Sequence, residues 1–202
     1  MPSVDLFAED RAHELFITAV IDRISREGHI TPRINVRSAV GGHGRALAEL
    51  RTYQRAVQKR LAGLSPPDLL VVVIDANCSG PGAAKAAIHK DLEADAAGET
   101  VVACPDPHIE RWFFADPEAF LHVVGIAHSP GKRKCIRDEY KNMLRDAVSK
   151  AGHFATLGGL EFARELVERM DLHRAIRNEP SLGSLVDGVR AFVTRTTRGS
   201  SV

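Results

Sequence analysis

Cysteine is scarce in this chain. Cys78, Cys104 and Cys135 are odd in number, far apart and without a CxxC pair. That argues against a disulfide-stapled fold and against a zinc site built on paired cysteines. An excess of one charge is missing too, since 27 Lys and Arg face 26 Asp and Glu. No global field marks the surface as one for nucleic acid or membrane, so any polyanion contact has to be local. Long apolar runs are absent as well: none approaches the roughly 18 residues of a membrane helix, and no basic stretch leads into an apolar one at the start. The expectation is a cytoplasmic protein without a membrane partner, its thiols reduced and Cys78 and Cys104 acting as small buried hydrophobes.

What is present is an ordinary globular composition. Of 202 residues, 44% are hydrophobic and 26% charged, enough to bury a core and far from the signature of disorder. Residues 4–8 form a short apolar run that stops at Glu9 and Asp10, after which Leu15, Phe16, Ala19, Val20 and Ile24 recur at helical spacing. Residues 34–37, a glycine-rich turn at 41–44 and a helical stretch at about 45–61 repeat the pattern. Residues 69–74 are continuously apolar and rich in Val and Ile, as expected of a central parallel strand covered on both faces. That strand ends at Asp75 and leads to a helix at about 83–97, then a fourth strand at 100–103. Alternation of this kind predicts an α/β fold, a small doubly wound parallel sheet of about four strands. Beyond Ile109 the signals are helical, at 109–115, 118–124, 136–150, 160–170 and 182–194. We therefore expect residues 1–107 to form the α/β core and residues 108–202 a helical extension packed on it as one compact unit.

Residues just past the carboxyl ends of parallel strands share one edge of the sheet, so Glu9 and Asp75 can converge there. With Asn77 they offer the oxygen donors that magnesium or manganese uses beside water and substrate phosphate. Simpler roles exist for each: Asp75 could cap the helix that follows it, and Glu9 could be a solvated acid near a helix start.

The pattern Leu6-Phe7-Ala8-Glu9, then Val72-Val73-Ile74-Asp75-Ala76-Asn77, resembles a Toprim domain, an apolar strand ending in Glu followed by one ending in Asp-x-Asp. The layout is similar to Toprim-related bacterial proteins tied to mobile-element or defence functions, relatives of OLD-type nucleases. The stretch from Pro107 through His108, Glu110, Trp112 and Phe114 to Asp116 looks like their acidic-aromatic segment. The resemblance implies magnesium-assisted phosphoryl transfer, with Glu9 as general base or ligand and Asp75 and Asn77 holding the ion. Two positions depart from the Toprim pattern: Asp10 stands where a glycine is common, and Asn77 replaces the second acid.

Other candidates surround this constellation. Gly42, His43 and Arg45 open a helix after a strand, where backbone N–H groups can hold phosphate, although a tight turn explains the glycines equally well. Glu110 lies in a first helical turn beside aromatic residues, and His108 precedes it as a possible ligand or base. Lys132 and Lys134, with Arg133, Arg137 and Lys141, form the one dense basic cluster and could track a nucleic-acid backbone. The expected function is a Toprim-type nuclease acting on DNA or RNA, using Mg2+ or Mn2+. The alternative is a catalytically degenerate Toprim-like binding module partnered with an ATPase.

Overall fold

The computed structural model describes residues 1–38, 43–93 and 97–199. Four strands, β1 (Ser3–Ala8), β2 (Arg33–Ser38), β3 (Leu69–Val73) and β4 (Glu99–Ala103), form one all-parallel sheet in the order β2-β1-β3-β4. Every residue of β3 is buried, which is why its sequence shows no alternation: both faces of this inner strand are covered.

The covering layers are α1 (Arg11–Glu27) on one face and α2 (His43–Gln58) with α3 (Pro81–Lys90) on the other. Val4, Leu6 and Ala8 of β1 share a core cluster with Phe16, Val20 and Ile24 of α1, whereas Phe7 meets Ala46 and Leu50 of α2 and Ala84 and Ile88 of α3. Successive β1 side chains thus enter opposite layers, as the two-residue period of a strand requires. The chain leaves β1 for one face and β3 for the other. A crevice therefore opens between the carboxyl ends of these two neighbouring strands, the place where open α/β sheets receive ligands.

The second half is helical: α4 (Pro117–Val124), α5 (Glu139–Lys150), α6 (Ala163–Arg169), α7 (Leu172–Asn178) and α8 (Gly183–Gly199), with a 3-10 helix over Ile109–Phe114. It covers the α1 side of the sheet. Phe16 of α1 lies against Trp112 and Phe113, with ring centroids 5.9 and 5.0 Å apart. Helix α8 packs on both α1 and β4, and Gly188 lets it come close, since a Cβ there would lie 2.5 Å from Val101 Cγ2. The protein is α/β with a helical C-terminal segment, as the patterning predicts. Among the described residues, no helix is long and apolar enough to cross a membrane.

Boundaries shift where caps override periodicity. Helix α7 lies outside the helical stretches that periodicity predicts, and Asp171 makes it: its carboxylate accepts from His173 N and Arg174 N after Met170 has turned extended. Residues 160–162 form a 3-10 turn ahead of α6, and α5 begins at Glu139. Asp116 links these pieces. Fully buried, it caps α4, accepts a hydrogen bond from Asp171 N, and receives Arg174 Nε and Nη2 at 2.8 and 2.9 Å.

Burial alone would raise the Asp116 pKa, but Arg174 and the backbone donors hold it below the ordinary 3.8. A lowered carboxylate pKa contributes stability that is present above 3.8 and lost as pH falls through the folded value. Asp116→Ala should therefore cost about 2 kcal/mol at neutral pH, from the lost cap and the stranded donors. In denaturant titrations the gap from wild type should shrink below pH 4; a constant gap would reject this account.

The cysteines correct the sequence expectation. Cys78 and Cys135 are joined as a disulfide across 57 residues of sequence, with Cα atoms 5.7 Å apart. Cys78 is exposed, not buried, and only Cys104 behaves as a small core residue. Spacing along the chain could not reveal a pair that tertiary folding creates.

Candidate metal centre at the β1–β3 crevice

Glu9 directly follows β1, Asp75 lies two residues past β3, and the two strands are hydrogen-bonded neighbours. The sheet therefore brings the two acids together. Glu9 Oε2 accepts the backbone N–H of Asp75 at 2.9 Å, which fixes one carboxylate against the strand end carrying the other. Neither simpler role applies. Asp10 caps α1, accepting from Ala12 N and His13 N, while the N-cap of α3 is Gly80, which has no side chain to cap with.

His13, at the third position of α1, is a residue the sequence reading did not single out. It is wholly buried, with Nδ1 2.7 Å from Asp10 Oδ1 and Nε2 3.0 Å from Asp75 Oδ1. A signal existed in Asp10-x-x-His13, since the third residue of a helix faces back toward its N-cap. Its link to Asp75 needed the fold. Among the described residues, Glu9, His13 and Asp75 form a group able to hold a metal ion, with one donor atom from each lying within 4.8 Å of the others.

His108 reaches Asp75 from the other side, with Nδ1 3.2 Å from Oδ2. The segment that carries it is bound edge to edge with the Asp75 turn: Ala76 N donates to Pro105 O at 2.8 Å and Asn77 N to Pro107 O at 3.0 Å. Asn77 sits at φ 48°, the left-handed region that Asn tolerates better than most residues, and its Nδ2 donates to Asp75 O at 3.4 Å. Asn77 is thus a turn residue here as well as a candidate ligand. Glu110, in the first turn of the 3-10 helix, is buried and close enough to Asp75 to feel its charge.

Charge coupling follows the contacts. Burial disfavours the Asp75 anion, yet His13 and His108 overcome it and hold its pKa below the ordinary value. Burial likewise opposes the His13 cation, but Asp75 and Asp10 raise its pKa well above 6.5. Asp10 falls to about 2, its burial outweighed by the His13 hydrogen bond and charge. His108 is raised chiefly by its hydrogen bond to Asp75, and Glu110 is raised by burial and by the Asp75 charge.

The remaining predicted contacts are dispersed. Gly42 lies outside the described residues, as does the side chain of His43, whose backbone begins α2. Arg45 is exposed and pairs with Glu49 one helical turn on. Lys132 and Lys134 are exposed, and Lys134 Nζ pairs with Glu139. Arg133, between them, reaches the site's rim: Nε lies 2.6 Å from Asp106 Oδ1, and Nη2 donates to Asn77 O at 3.4 Å.

The donor set suits a divalent cation. Two carboxylates provide hard oxygen and charge, while one imidazole shifts preference from magnesium toward manganese or zinc. Binding through His13 Nε2 would have to displace its contact with Asp75, so proton and metal compete for the same atoms. Compared with family models, with curated proteins and with solved structures, the chain matches none.

Proposed function

We propose that this protein is a divalent-metal-dependent phosphoryl-transfer protein, a Toprim-like nuclease acting on DNA or RNA with Mg2+ or Mn2+. The observation that carries the reading is the convergence of Glu9, His13 and Asp75 in the β1–β3 crevice, with donor atoms within 4.8 Å. A bound divalent ion would supply charge neutralisation of phosphoryl oxygens and a more acidic water. Glu9 and Asp75 provide the negative charge that attracts the ion, and His108 orients the Asp75 carboxylate. Glu110, its pKa raised, keeps a proton to higher pH than an ordinary acid and so can give one to a leaving oxygen. Arg133 brings a guanidinium to the rim, where phosphate of a polynucleotide would pass.

A second reading has its own support. Both Asp75 oxygens already face imidazoles, and His13 between Asp10 and Asp75 balances charge without any ion. That charge balance supports reading the protein as a Toprim-like module that binds rather than cuts, for which an ATPase is the proposed partner.

Incubating purified protein with labelled DNA and RNA oligonucleotides in Mn2+ or Mg2+ separates the two. Cleavage that stops with chelator and falls about 100-fold in Glu9→Gln supports the nuclease. Intact substrates in both metals, with Glu9→Gln indistinguishable from wild type, overturn the nuclease and favour the binding module.

A further inference from the structure

We infer that the Cys78–Cys135 pair is a thiol–disulfide exchange site that clasps the basic segment Lys132-Arg133-Lys134 onto the rim of the β1–β3 crevice. The reading above supplies what the clasp would regulate, but the clasp itself stands on separate observations.

Cys78 comes three residues after Asp75, and Cys135 directly follows the basic triplet. The bond between them therefore joins the turn that carries the candidate ligands to a stretch with neither helix nor strand, between the end of α4 at Val124 and the start of α5 at Glu139. That stretch is held on its far side by buried groups. Arg111 donates to Gly131 O at 3.2 Å and to Tyr140 Oη at 2.9 Å, Tyr140 Oη accepts from Lys134 N at 2.8 Å, and Glu179 pairs with Arg111 Nε at 2.6 Å.

On the side facing the crevice the noncovalent links among the described residues are the exposed Arg133–Asp106 pair and the longer Arg133–Asn77 contact. Exposed ion pairs hold a segment weakly. The disulfide is the strong tie to the ligand turn. Both cysteines are exposed, so a small thiol can reach either sulfur. Cys104 is buried, and burial pushes its thiol up to about 12, which makes it an internal control.

The exchange balances without a metal or further cofactor. A thiolate of a dithiol attacks one cysteine sulfur, the S–S bond breaks, and the other cysteine leaves as thiolate. The second thiol of the reagent then displaces the first, so two electrons and two protons pass to the pair and the reagent becomes a cyclic disulfide. A low-molecular-weight disulfide such as oxidised glutathione drives the reverse and leaves as two thiols.

The full chain is equilibrated with oxidised glutathione or with dithiothreitol, then alkylated under native conditions and weighed by mass spectrometry. The expected result is no alkylation in the oxidised sample and two in the reduced, at Cys78 and Cys135, with Cys104 reacting only after unfolding. Tryptic cleavage after residues 132–134 should run at least about tenfold faster in the reduced protein. Cys135→Ser should be cut at the fast rate in both buffers. A pair that remains alkylatable after oxidant, or equal cleavage in the two redox states, overturns the inference. If cleavage is redox-dependent while Mn2+ gives no binding heat, the clasp stands and the metal reading falls.

Discussion

Asp75→Asn is expected to weaken Mn2+ binding at least 100-fold and to lower any metal-dependent cleavage by a factor of about 10² to 10³. Asparagine keeps the shape of the side chain and can still meet His108, so the turn should hold. What it removes is the charge on which His13 and His108 converge. Two acids close enough to share an ion with His13 make a site whose affinity depends on their summed charge, and Asn77 adds none. Titration calorimetry with Mn2+ reads the first effect, and an oligonucleotide assay the second. Wild-type heat from Asp75→Asn would mean that the ion, if bound, sits elsewhere.

Removing His13 should have the largest effect on stability. In the metal-free protein, with chelator present, His13→Ala leaves the buried Asp75 carboxylate with His108 as its one remaining imidazole partner and a void at Oδ1, at a cost of about 3 kcal/mol. For a chain of this length that corresponds to a fall in Tm of about 6–12 °C. The pH profile carries a further check. A His with raised pKa contributes stability that is full below its ordinary 6.5 and is lost as pH rises through the folded value. Asp75 and Asp10, with lowered pKa, contribute above 3.8 and lose that contribution as pH falls. The difference between wild type and His13→Ala should therefore be greatest between pH 3.8 and 6.5 and diminish on either side. A difference that grows steadily above pH 6.5 would show that His13 is held neutral, and the account of His13 as a cation between Asp10 and Asp75 would fail.

Much of the scaffold was legible in the sequence because hydrophobic patterning answers to local geometry. The all-apolar run at residues 69–74 could be read as an inner strand, since only a parallel strand covered on both faces needs no polar side. Glu9 and Asp75 could be paired for the same reason: parallel strands put their carboxyl ends at one edge. Helix α7 escaped notice because its boundary rests on the Asp171 cap and on Asp116 from another element. His13 escaped because a lone histidine in an amphipathic helix looks like any polar residue until the strand end beneath it is known. The basic cluster was visible, yet only the fold shows that Arg133 is the member turned toward the crevice, while Lys134 is spent on Glu139.

By itself, the sequence determined the alternation of strands and helices, the central place of residues 69–74, and the edge at which Glu9 and Asp75 meet. Each follows from periodicity over a few neighbouring residues. Tertiary structure decided what those residues touch. It placed His13 between Asp10 and Asp75, the second of them 62 residues from His13 in the chain. It also joined Cys78 to Cys135 across 57 residues and brought Arg133 to the turn at Asn77. Such contacts depend on chain crossings between α1, the β3–α3 turn and the segment before α5, and no local pattern records how distant segments meet.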